Sequence, residues 1–317
     1  MEIKLVALKR RVLIAIATCV LLSMIMPVTK TLAEQLRVGV TPSVHSALIH
    51  LADAQGFFRK QGVDVTIKAY QSGHLAISDL AADKIDIAAA SEIAFVLQSF
   101  KYRDLRIVTT IWSGADNELI VRKDRGITGP QDMKGRRIAV TRGSSAEFFF
   151  YNYLIFNSIP AGSVQLVDTI PSQMVKTIVD GTVDAAISWP PYTDDMAKQL
   201  GANYLRWPAQ SGQNYYFTVF GKEGFVRKQS RMLEQFLAAL SEAEAFTLKH
   251  PGRAQAILLG RLKLDRENLL LTWPLTRFEL QLSQDLLVLM EREAKWAIRS
   301  KTVDKKEMPV PGRDASV

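Results

Sequence analysis

The chain has 317 residues, one cysteine and a formal net charge of +8 at pH 7. Five basic residues and one acidic residue fall within the first 33 positions, so residues 34–317 carry a net charge of +4. The sequence contains neither a block of six Lys or Arg residues nor a basic motif interleaved with aromatic residues. It therefore argues against nucleic acid as a partner.

The amino terminus has the pattern of a secretory signal peptide. Basic residues precede an apolar run over residues 12–26, and Thr31-Leu32-Ala33 places small residues where a signal peptidase cleaves. The run is shorter than the roughly 20 residues that span a bilayer, which favours cleavage before Glu34 over an uncleaved anchor. Cys19 lies within the run rather than at its end, which disfavours a lipoprotein. We predict a periplasmic protein with residues 1–33 removed.

The predicted mature chain contains no cysteine, because Cys19 is the only one in the sequence. A disulfide, a thiol nucleophile and a zinc–cysteine site are therefore excluded from it. A domain of this size can fold on its hydrophobic core alone, which suits the periplasm.

Strands and helices alternate from the start of the mature chain. Apolar spacing and turn residues predict the following elements in the first half: strand 36–40, a helix that ends at Gly56, strand 63–67, a helix that begins at Ser72, strand 85–90, helix 93–100 and strand 105–111. Residues 112–117 are predicted to form a loop that crosses to a second lobe. Strand, polar loop and helix in repetition indicate a mostly parallel sheet.

The second half repeats this plan. The predicted elements are strand 137–141, helix 146–156, strand 164–167, helix 172–179, strand 183–188, a loop over 189–192, an apolar segment 215–220 that returns to the first lobe, and helices from Arg231 onward. We expect the carboxy-terminal helices to pack on the first lobe rather than to form a separate domain.

Two short phrases recur about one hundred residues apart. Arg37–Thr41 reads RVGVT and Arg137–Thr141 reads RIAVT, while Ile85–Ala88 reads IDIA and Val183–Ala186 reads VDAA. Two matches at nearly the same offset predict two α/β lobes built on one plan. Facing lobes form a cleft, and a ligand is expected there.

The predicted ligand-binding residues follow the strands. In open α/β sheets, ligands lie beyond the carboxyl ends of strands, where helix N-termini present unpaired N–H groups. Hydroxyl side chains occupy five such points: Ser43, Ser72, Ser91, Ser144 and Ser145. Each serine alone could instead be a helix N-cap. As a set converging on one cleft, Ser91, Ser144 and Ser145 are favoured as binding residues.

Five other residues complete the predicted set. His45 can donate to an anion or lie on the surface, and Trp189 can cover a ligand or fill the space between the lobes. Asp116 lies in the first crossing, and Tyr192 lies in the loop after Trp189. Glu92 would repel an anion unless it points away, caps its helix or binds an ammonium group.

Catalytic motifs are absent from the sequence. None of the four histidines stands in a metal-binding spacing such as HExxH, and Gly143-Ser144-Ser145-Ala146 lacks the second glycine of a nucleophile elbow. No GxGxxG or Walker loop occurs. A Ser-His-Asp arrangement stays open at this point. We predict no catalytic residue, no metal and no cofactor.

The mature chain resembles the nitrate/sulfonate/taurine-type periplasmic solute-binding proteins of ABC importers. The likeness covers about residues 36–250 and is carried by seven segments: 36–41, 54–58, 62–65, 84–88, 132–140, 143–145 and 180–185. It implies the class II periplasmic-binding fold, an α/β architecture of two similar lobes with a ligand cleft between them. The expected lobes are residues 34–117 with 218–317, and residues 118–217.

The resemblance also implies a function. We expect a monomeric receptor that closes on a small anionic or zwitterionic solute, such as a sulfonate, taurine or nitrate, and passes it to an ABC permease in the inner membrane. The likeness assigns ligand contacts to Ser43, Ser91, Glu92, Ser144, Ser145 and Trp189. Glu92 is similar to an acidic residue of alkanesulfonate-type members.

Two alternatives stay open. Pro190 stands where relatives often carry an acidic or other polar residue, and related members bind thiamine-pyrimidine precursors, so a neutral heterocycle is the second candidate. Fungal pyrimidine synthases and some menaquinone-pathway lyases look similar in fold, which makes an enzyme the third. The synthases depend on a cysteine-rich motif that is absent here, and both classes act inside cells.

Overall fold

The computed structural model describes residues 34–262 and 264–309. The predicted signal peptide, residues 1–33, lies outside them. The strands are β1 (Glu34–Val40), β2 (Val63–Ala69), β3 (Ile87–Ser91), β4 (Leu105–Gly114), β5 (Glu118–Arg122), β6 (Arg137–Val140), β7 (Gln165–Asp168), β8 (Ala185–Ser188), β9 (Tyr204–Pro208) and β10 (Tyr215–Lys222).

The α-helices of the described residues cover both halves of the chain. They are α1 (Ala47–Ala54), α2 (Phe57–Lys60), α3 (Gly73–Ala81), α4 (Glu92–Ser99), α5 (Ser145–Phe156), α6 (Pro171–Val179), α7 (Tyr192–Leu200), α8 (Glu223–Lys228), α9 (Ser230–Lys249), α10 (Pro251–Leu262), α11 (Arg266–Thr272) and α12 (Gln284–Arg299). Over residues 34–262 and 264–309, no helix is both long and apolar enough to cross a membrane.

The strands form two five-stranded sheets with the same topology. The first sheet has the order β2-β1-β3-β10-β4, with β1 parallel to β2 and β3, and β10 antiparallel to β3 and β4. The second sheet has the order β7-β6-β8-β5-β9, with β6 parallel to β7 and β8, and β5 antiparallel to β8 and β9. The predicted α/β fold of two similar lobes is confirmed. We call the halves built on these sheets lobe one and lobe two.

The recurring sequence phrases make the same ion pair in both lobes. The backbone N–H of Arg37 donates to Asp86 Oδ2 at 2.8 Å, and that of Arg137 donates to Asp184 Oδ2 at 3.0 Å. The guanidinium Nη2 donates to the same carboxylate at 2.6 Å in lobe one and at 2.9 Å in lobe two. In lobe one the pair connects β1 to the residue directly before β3, and in lobe two it connects β6 to the residue directly before β8.

Because the two pairs are equivalent, Asp86→Asn and Asp184→Asn are expected to cost similar stability, about 1–2 kcal/mol each. Each change weakens a charge-assisted bond to a backbone N–H and to a guanidinium. Urea unfolding of the mature chain measures this. Asp180→Asn is the control, since its ion pair with Lys176 is exposed and is expected to be worth less than about 0.5 kcal/mol. A loss of stability in only one of Asp86→Asn and Asp184→Asn would contradict the equivalence of the two pairs.

Alternating side chains on the strands build a core on both faces of the second sheet. Leu119, Val121 and Ile138 pack on one face, while Ile120 and Ala139 pack on the other. The largest cluster lies on lobe one and includes apolar residues of all four carboxy-terminal helices, α9 to α12.

Some elements differ from the prediction. Trp112, Ser113 and Gly114 were expected in a crossing loop but extend β4, because β10 pairs with β4 as far as Gly114. The first sheet takes up the chain again at Tyr215, where the returning segment 215–220 was expected to begin, so the lobe boundary expected after residue 217 falls within β10. Helix α7 and strand β9 had no counterpart in the prediction. Strand β9 pairs with β5 at the edge of the sheet, and its half-buried residues give a weak sequence signal.

Candidate ligand-binding site

His45, Ser43 and Asp116 form one buried cluster after the first strand. His45 Nδ1 lies 3.0 Å from Ser43 Oγ, and His45 Nε2 lies 2.6 Å from Asp116 Oδ2. Tyr215 donates from its hydroxyl to Asp116 Oδ1 at 2.9 Å. Burial raises the pKa of Tyr215 well above its ordinary value, so the phenol stays protonated and keeps donating. The ring of Trp112 lies edge-on to His45, with centroids 4.4 Å apart.

Ser144 begins helix α5 as its N-cap. Its hydroxyl accepts from the N–H of Glu147 at 3.4 Å and donates to the carbonyl of Thr141 at 2.7 Å. Glu147 in turn accepts from the N–H of Gly143 at 2.8 Å and pairs with Arg142. A buried carboxylate thus occupies part of the helix N-terminus that an anionic ligand would use.

Ser145 joins α5 to both crossings between the lobes. Its hydroxyl donates to Asn117 Oδ1 at 3.2 Å. Asn117 donates from its backbone N–H and its side-chain amide to Gln210 Oε1, at 2.7 and 3.0 Å. Asn117 lies between β4 and β5, and Gln210 lies between β9 and β10. These three residues therefore link the two segments that cross between the lobes, and any hinge for closure would lie in those segments.

Ser72 and Ser91 precede helices without capping them. Ser72 precedes α3, Ser91 precedes α4, and each is half-buried. Neither side chain makes a cap hydrogen bond to its helix. They differ in this from Ser144, whose hydroxyl caps α5.

Glu92 is fully buried and faces a second carboxyl, Glu293 of helix α12. Glu92 Oε2 accepts from the N–H of Tyr216 at 3.0 Å. Within the described residues, Glu92 Oε1 and both oxygens of Glu293 have no hydrogen-bond partner. Burial raises the pKa of Glu92 to about 8, and burial together with repulsion by Glu92 raises the pKa of Glu293 well above its ordinary value. The pair therefore holds at least one proton at neutral pH.

Trp189 and Tyr192 lie on either side of Pro190-Pro191 in lobe two. Both are half-buried, and their rings are nearly perpendicular with centroids 6.2 Å apart. Trp189 packs against the core of lobe two. Burial raises the pKa of Tyr192.

A cavity of ≈ 50 Å³ lies between the lobes. Lobe one contributes Val44, Trp112 and Asp116, and lobe two contributes Pro190, Pro191 and Asp194. The remaining side is closed by residues at and around helix α11, including Asp265, Asn268 and Leu269. Asp116 is the one predicted binding residue among those that line it.

The charged residues that line the cavity are all acidic. Asp116, Asp194 and Asp265 contribute carboxyl groups, and none of the described residues lining the cavity is Lys, Arg or His. Asp194 accepts from Arg206 at 2.9 Å, and Asp265 caps α11 by accepting from the N–H of Asn268 at 2.8 Å. The lining offers hydrogen-bond acceptors beside an indole ring, a combination that suits a cationic or amino-bearing group. In the part of the chain that the structure describes, no cluster of three or more His, Cys, Asp or Glu could hold a metal ion.

Helix α5 packs against both lobes. Phe150 belongs to the core of lobe two, whereas Phe148 and Phe149 belong to the core cluster of lobe one. Phe149 lies against Tyr215 with ring centroids 6.3 Å apart, and Phe148 lies against Trp296 of α12 at 5.6 Å. The aromatic run of α5 is therefore the apolar contact that holds the lobes together in this arrangement.

Comparison with known proteins places the chain in a family. Residues 43–254 match the family model described as NMT1/THI5 like. The chain belongs to the NMT1/THI5-like family. It is 26% identical over 289 residues to a protein of Bacillus subtilis (strain 168) named as a binding protein for aliphatic sulfonates, covering 86% of this chain and 83% of that one.

Solved structures show the same fold. The alkanesulfonate-binding protein SsuA of Xanthomonas axonopodis pv. citri, bound to MOPS, matches with a TM-score of 0.75 at 18% identity, over 87% of this chain and 96% of that one. The periplasmic aliphatic sulphonate binding protein SsuA of Escherichia coli matches with a TM-score of 0.73 at 20% identity, over 86% and 94%. The desulfurization enzyme DSZB also matches, with a TM-score of 0.64 at 15% identity over 86% and 94%. The fold therefore serves binding proteins and at least one enzyme.

Several residues at this site were missed from the sequence. Trp112, Asn117, Gln210 and Tyr215 contact predicted residues or line the cavity, and α11 closes it. Their roles depend on contacts between distant segments, which no local pattern reports. Glu293 had a detectable signal, because it lies on the buried face of α12 with Leu286 and Leu289 at helical spacing.

Proposed function

We propose that this protein is an extracytoplasmic solute-binding receptor of an ABC importer and works in the periplasm. The observation that carries the proposal is a cavity lined from both lobes beside the first crossing; at ≈ 50 Å³ it is smaller than a solute, so the lobes would have to part to admit one. Family membership and the sulfonate-binding names of similar proteins support it. Its partners would be a small-molecule solute and a permease in the inner membrane, with the receptor acting as a monomer.

In the proposed mechanism, solute binding favours a closed arrangement of the lobes. A solute between Trp112 and Pro190 gains contacts from both lobes only when they approach each other. The hinge would lie in the two crossings, one between β4 and β5 and the other between β9 and β10. The hydrogen bonds between Asn117 and Gln210 would keep these two segments moving together.

Among the candidate solutes, the acidic lining favours a zwitterion over a simple anion. Nitrate would meet three carboxyl groups in the cavity, and Arg206, the cation paired with Asp194, does not line it. A taurine-like solute would place its ammonium group near Asp116 and direct its sulfonate towards the hydroxyl of Ser91, which makes no cap hydrogen bond to α4. An amino-substituted pyrimidine meets the same acceptors and the indole of Trp112, and it is the second candidate.

The proposal is tested with residues 34–317, unfolded and refolded to remove any bound solute. We expect taurine to bind in a calorimetric titration, and ethanesulfonate, which lacks the ammonium group, to bind at least tenfold more weakly. Nitrate and an aminopyrimidine complete the panel. Mass spectrometry of the released solute checks that it is unchanged. Chemical turnover would support the enzyme alternative, and the absence of binding across the panel would reject the proposed solutes.

Asp116→Asn is expected to weaken taurine binding about 10- to 100-fold, since it removes a charge-assisted hydrogen bond worth about 1.5–3 kcal/mol. The same substitution should leave ethanesulfonate binding nearly unchanged. Asp124→Asn is the matched control, because Asp124 pairs with Arg122 outside the cavity. Equal losses for taurine and ethanesulfonate would show that Asp116 acts through the fold rather than on the ammonium group.

A further inference from the structure

A second, larger cavity lies in lobe one, away from the crossings. Its volume is ≈ 630 Å³, and it shares no lining residue with the cavity between the lobes. Helix α4, the start of β4, helix α12 and the segment that ends at Pro309 surround it. Protein interiors rarely leave voids larger than a water molecule, whereas binding pockets for small ligands measure about 300–1,000 Å³. The size is that of a ligand site.

The walls of this cavity are apolar. Helix α4 contributes Phe95 and Val96, β4 contributes Leu105 and Ile107, and α12 contributes Leu286 and Met290. Leu282 and Leu287 also line it and are 61% and 63% exposed. An apolar path therefore runs from the surface into the cavity. Water would find few hydrogen-bond partners along such walls.

One free positive charge lies at this cavity. Arg103 lines it and is exposed, and among the described residues its guanidinium forms no ion pair. The other charged lining groups are already paired: Arg106 with Glu223 at 2.7 Å, and Glu291 with Lys295 at 2.5 Å. A ligand that reaches the mouth therefore meets a single uncompensated cation.

We propose that this cavity binds an amphipathic organic anion, a single apolar chain or ring system that ends in a carboxylate or sulfonate. The apolar part lies against Val96, Leu286 and Met290, and the anionic head pairs with Arg103. The proposed occupant is a monomeric molecule rather than a membrane surface, because the apolar walls enclose a volume of molecular size. This site is independent of the solute cleft and does not rest on the proposed function.

The test uses residues 34–317 and three probes below their micelle concentrations: dodecanoate, dodecane-1-sulfonate and dodecylamine. Tryptophan fluorescence and calorimetry measure binding. We expect both anions to bind at least tenfold more tightly than the amine. Arg103→Glu should reverse this preference, and Met290→Trp, which places an indole among the apolar walls and narrows the cavity, should weaken binding of all three. Arg231→Glu, an exposed change elsewhere in lobe one, is the matched control and should have no effect.

Melting temperatures of Arg103→Glu and Met290→Trp close to that of the wild type would show that both variants are folded, whatever solute the cleft between the lobes binds. If Met290→Trp fails to fold, the charge reversal by Arg103→Glu decides alone. Equal binding of the amine and the anions would overturn the proposal, as would binding only to phosphatidylglycerol vesicles. Binding that requires deletion of residues 310–317 would also overturn it, because the carboxy terminus of the chain itself would then be the occupant of the cavity.

Discussion

Replacing Glu293 with glutamine is expected to stabilise this protein at pH 8 by roughly 2–4 kcal/mol, an increase in melting temperature on the order of 5 °C. Glu293 and Glu92 are both fully buried, and three of their four carboxyl oxygens lack a partner among the described residues. An unpaired buried charge is costly, so the native protein keeps protons on this pair that the unfolded chain releases. Glutamine has nearly the same shape and cannot ionise.

The sign of the pH dependence follows from the direction of the pKa shifts. Burial raises the pKa of Glu92 from 4.5 to about 8, and Glu293 is shifted in the same direction. A carboxyl with a raised pKa in the folded state favours folding fully below its unfolded pKa, and this contribution is lost as pH rises through the folded pKa. The stability of the wild-type chain should therefore fall between about pH 4.5 and pH 8. Glu293→Gln should flatten this decline.

Thermal unfolding of residues 34–317 from pH 4 to pH 9 measures the effect. Glu92→Gln is the partner variant and should act in the same direction, since the amide oxygen can still accept from Tyr216. Glu242→Gln is the control, and its effect on the pH dependence of stability should have the opposite sign, because the hydrogen bond from Lys60 lowers the pKa of Glu242. The stability that Glu242 contributes is therefore lost as pH falls. A lower melting temperature for Glu293→Gln at pH 8 would contradict the raised pKa of Glu293.

The fold could be predicted because its repeating units are local in sequence. The phrases at Arg37 and Arg137 mark the same strand in each lobe, and the aspartates at 86 and 184 pair with those arginines in the structure. Ser144 and Glu147 form a capping pattern that is also legible in sequence, although its competition with anion binding becomes clear only from the contact of Glu147 with Gly143.

The site was less predictable because its contacts join distant segments. Asn117 and Gln210 are 93 residues apart, and the carboxy-terminal helix α11 closes a cavity between lobes that precede it in the chain. The ends of the strands predict where polar residues lie along the chain. Which of these residues face the cleft depends on the conformation of the turns that follow the strands. His45 illustrates this: the sequence left open whether it donates to an anion or lies on the surface, and in the structure it lies buried among Ser43, Asp116 and Tyr215.

Substitutions of two adjacent phenylalanines on α5 distinguish the contact between the lobes from the packing inside one lobe. Phe149 is fully buried in the core of lobe one, although its helix begins at the end of a lobe-two strand, and Phe150 is fully buried in lobe two. Phe149→Ala and Phe150→Ala should each cost about 3–5 kcal/mol of stability. Only Phe149→Ala removes an apolar contact made across the cleft, so only this variant should open the lobes.

Small-angle scattering and calorimetry on both variants, at a temperature where each is folded, distinguish these effects. Phe149→Ala is expected to show a larger radius of gyration without solute and a taurine affinity at least tenfold lower, because solute binding must then supply the closure that the phenylalanine supplied. Phe150→Ala should melt earlier with unchanged radius and affinity. If the two variants matched in all three measurements, α5 would be an ordinary core helix, and the proposed closure would need another source of contact between the lobes.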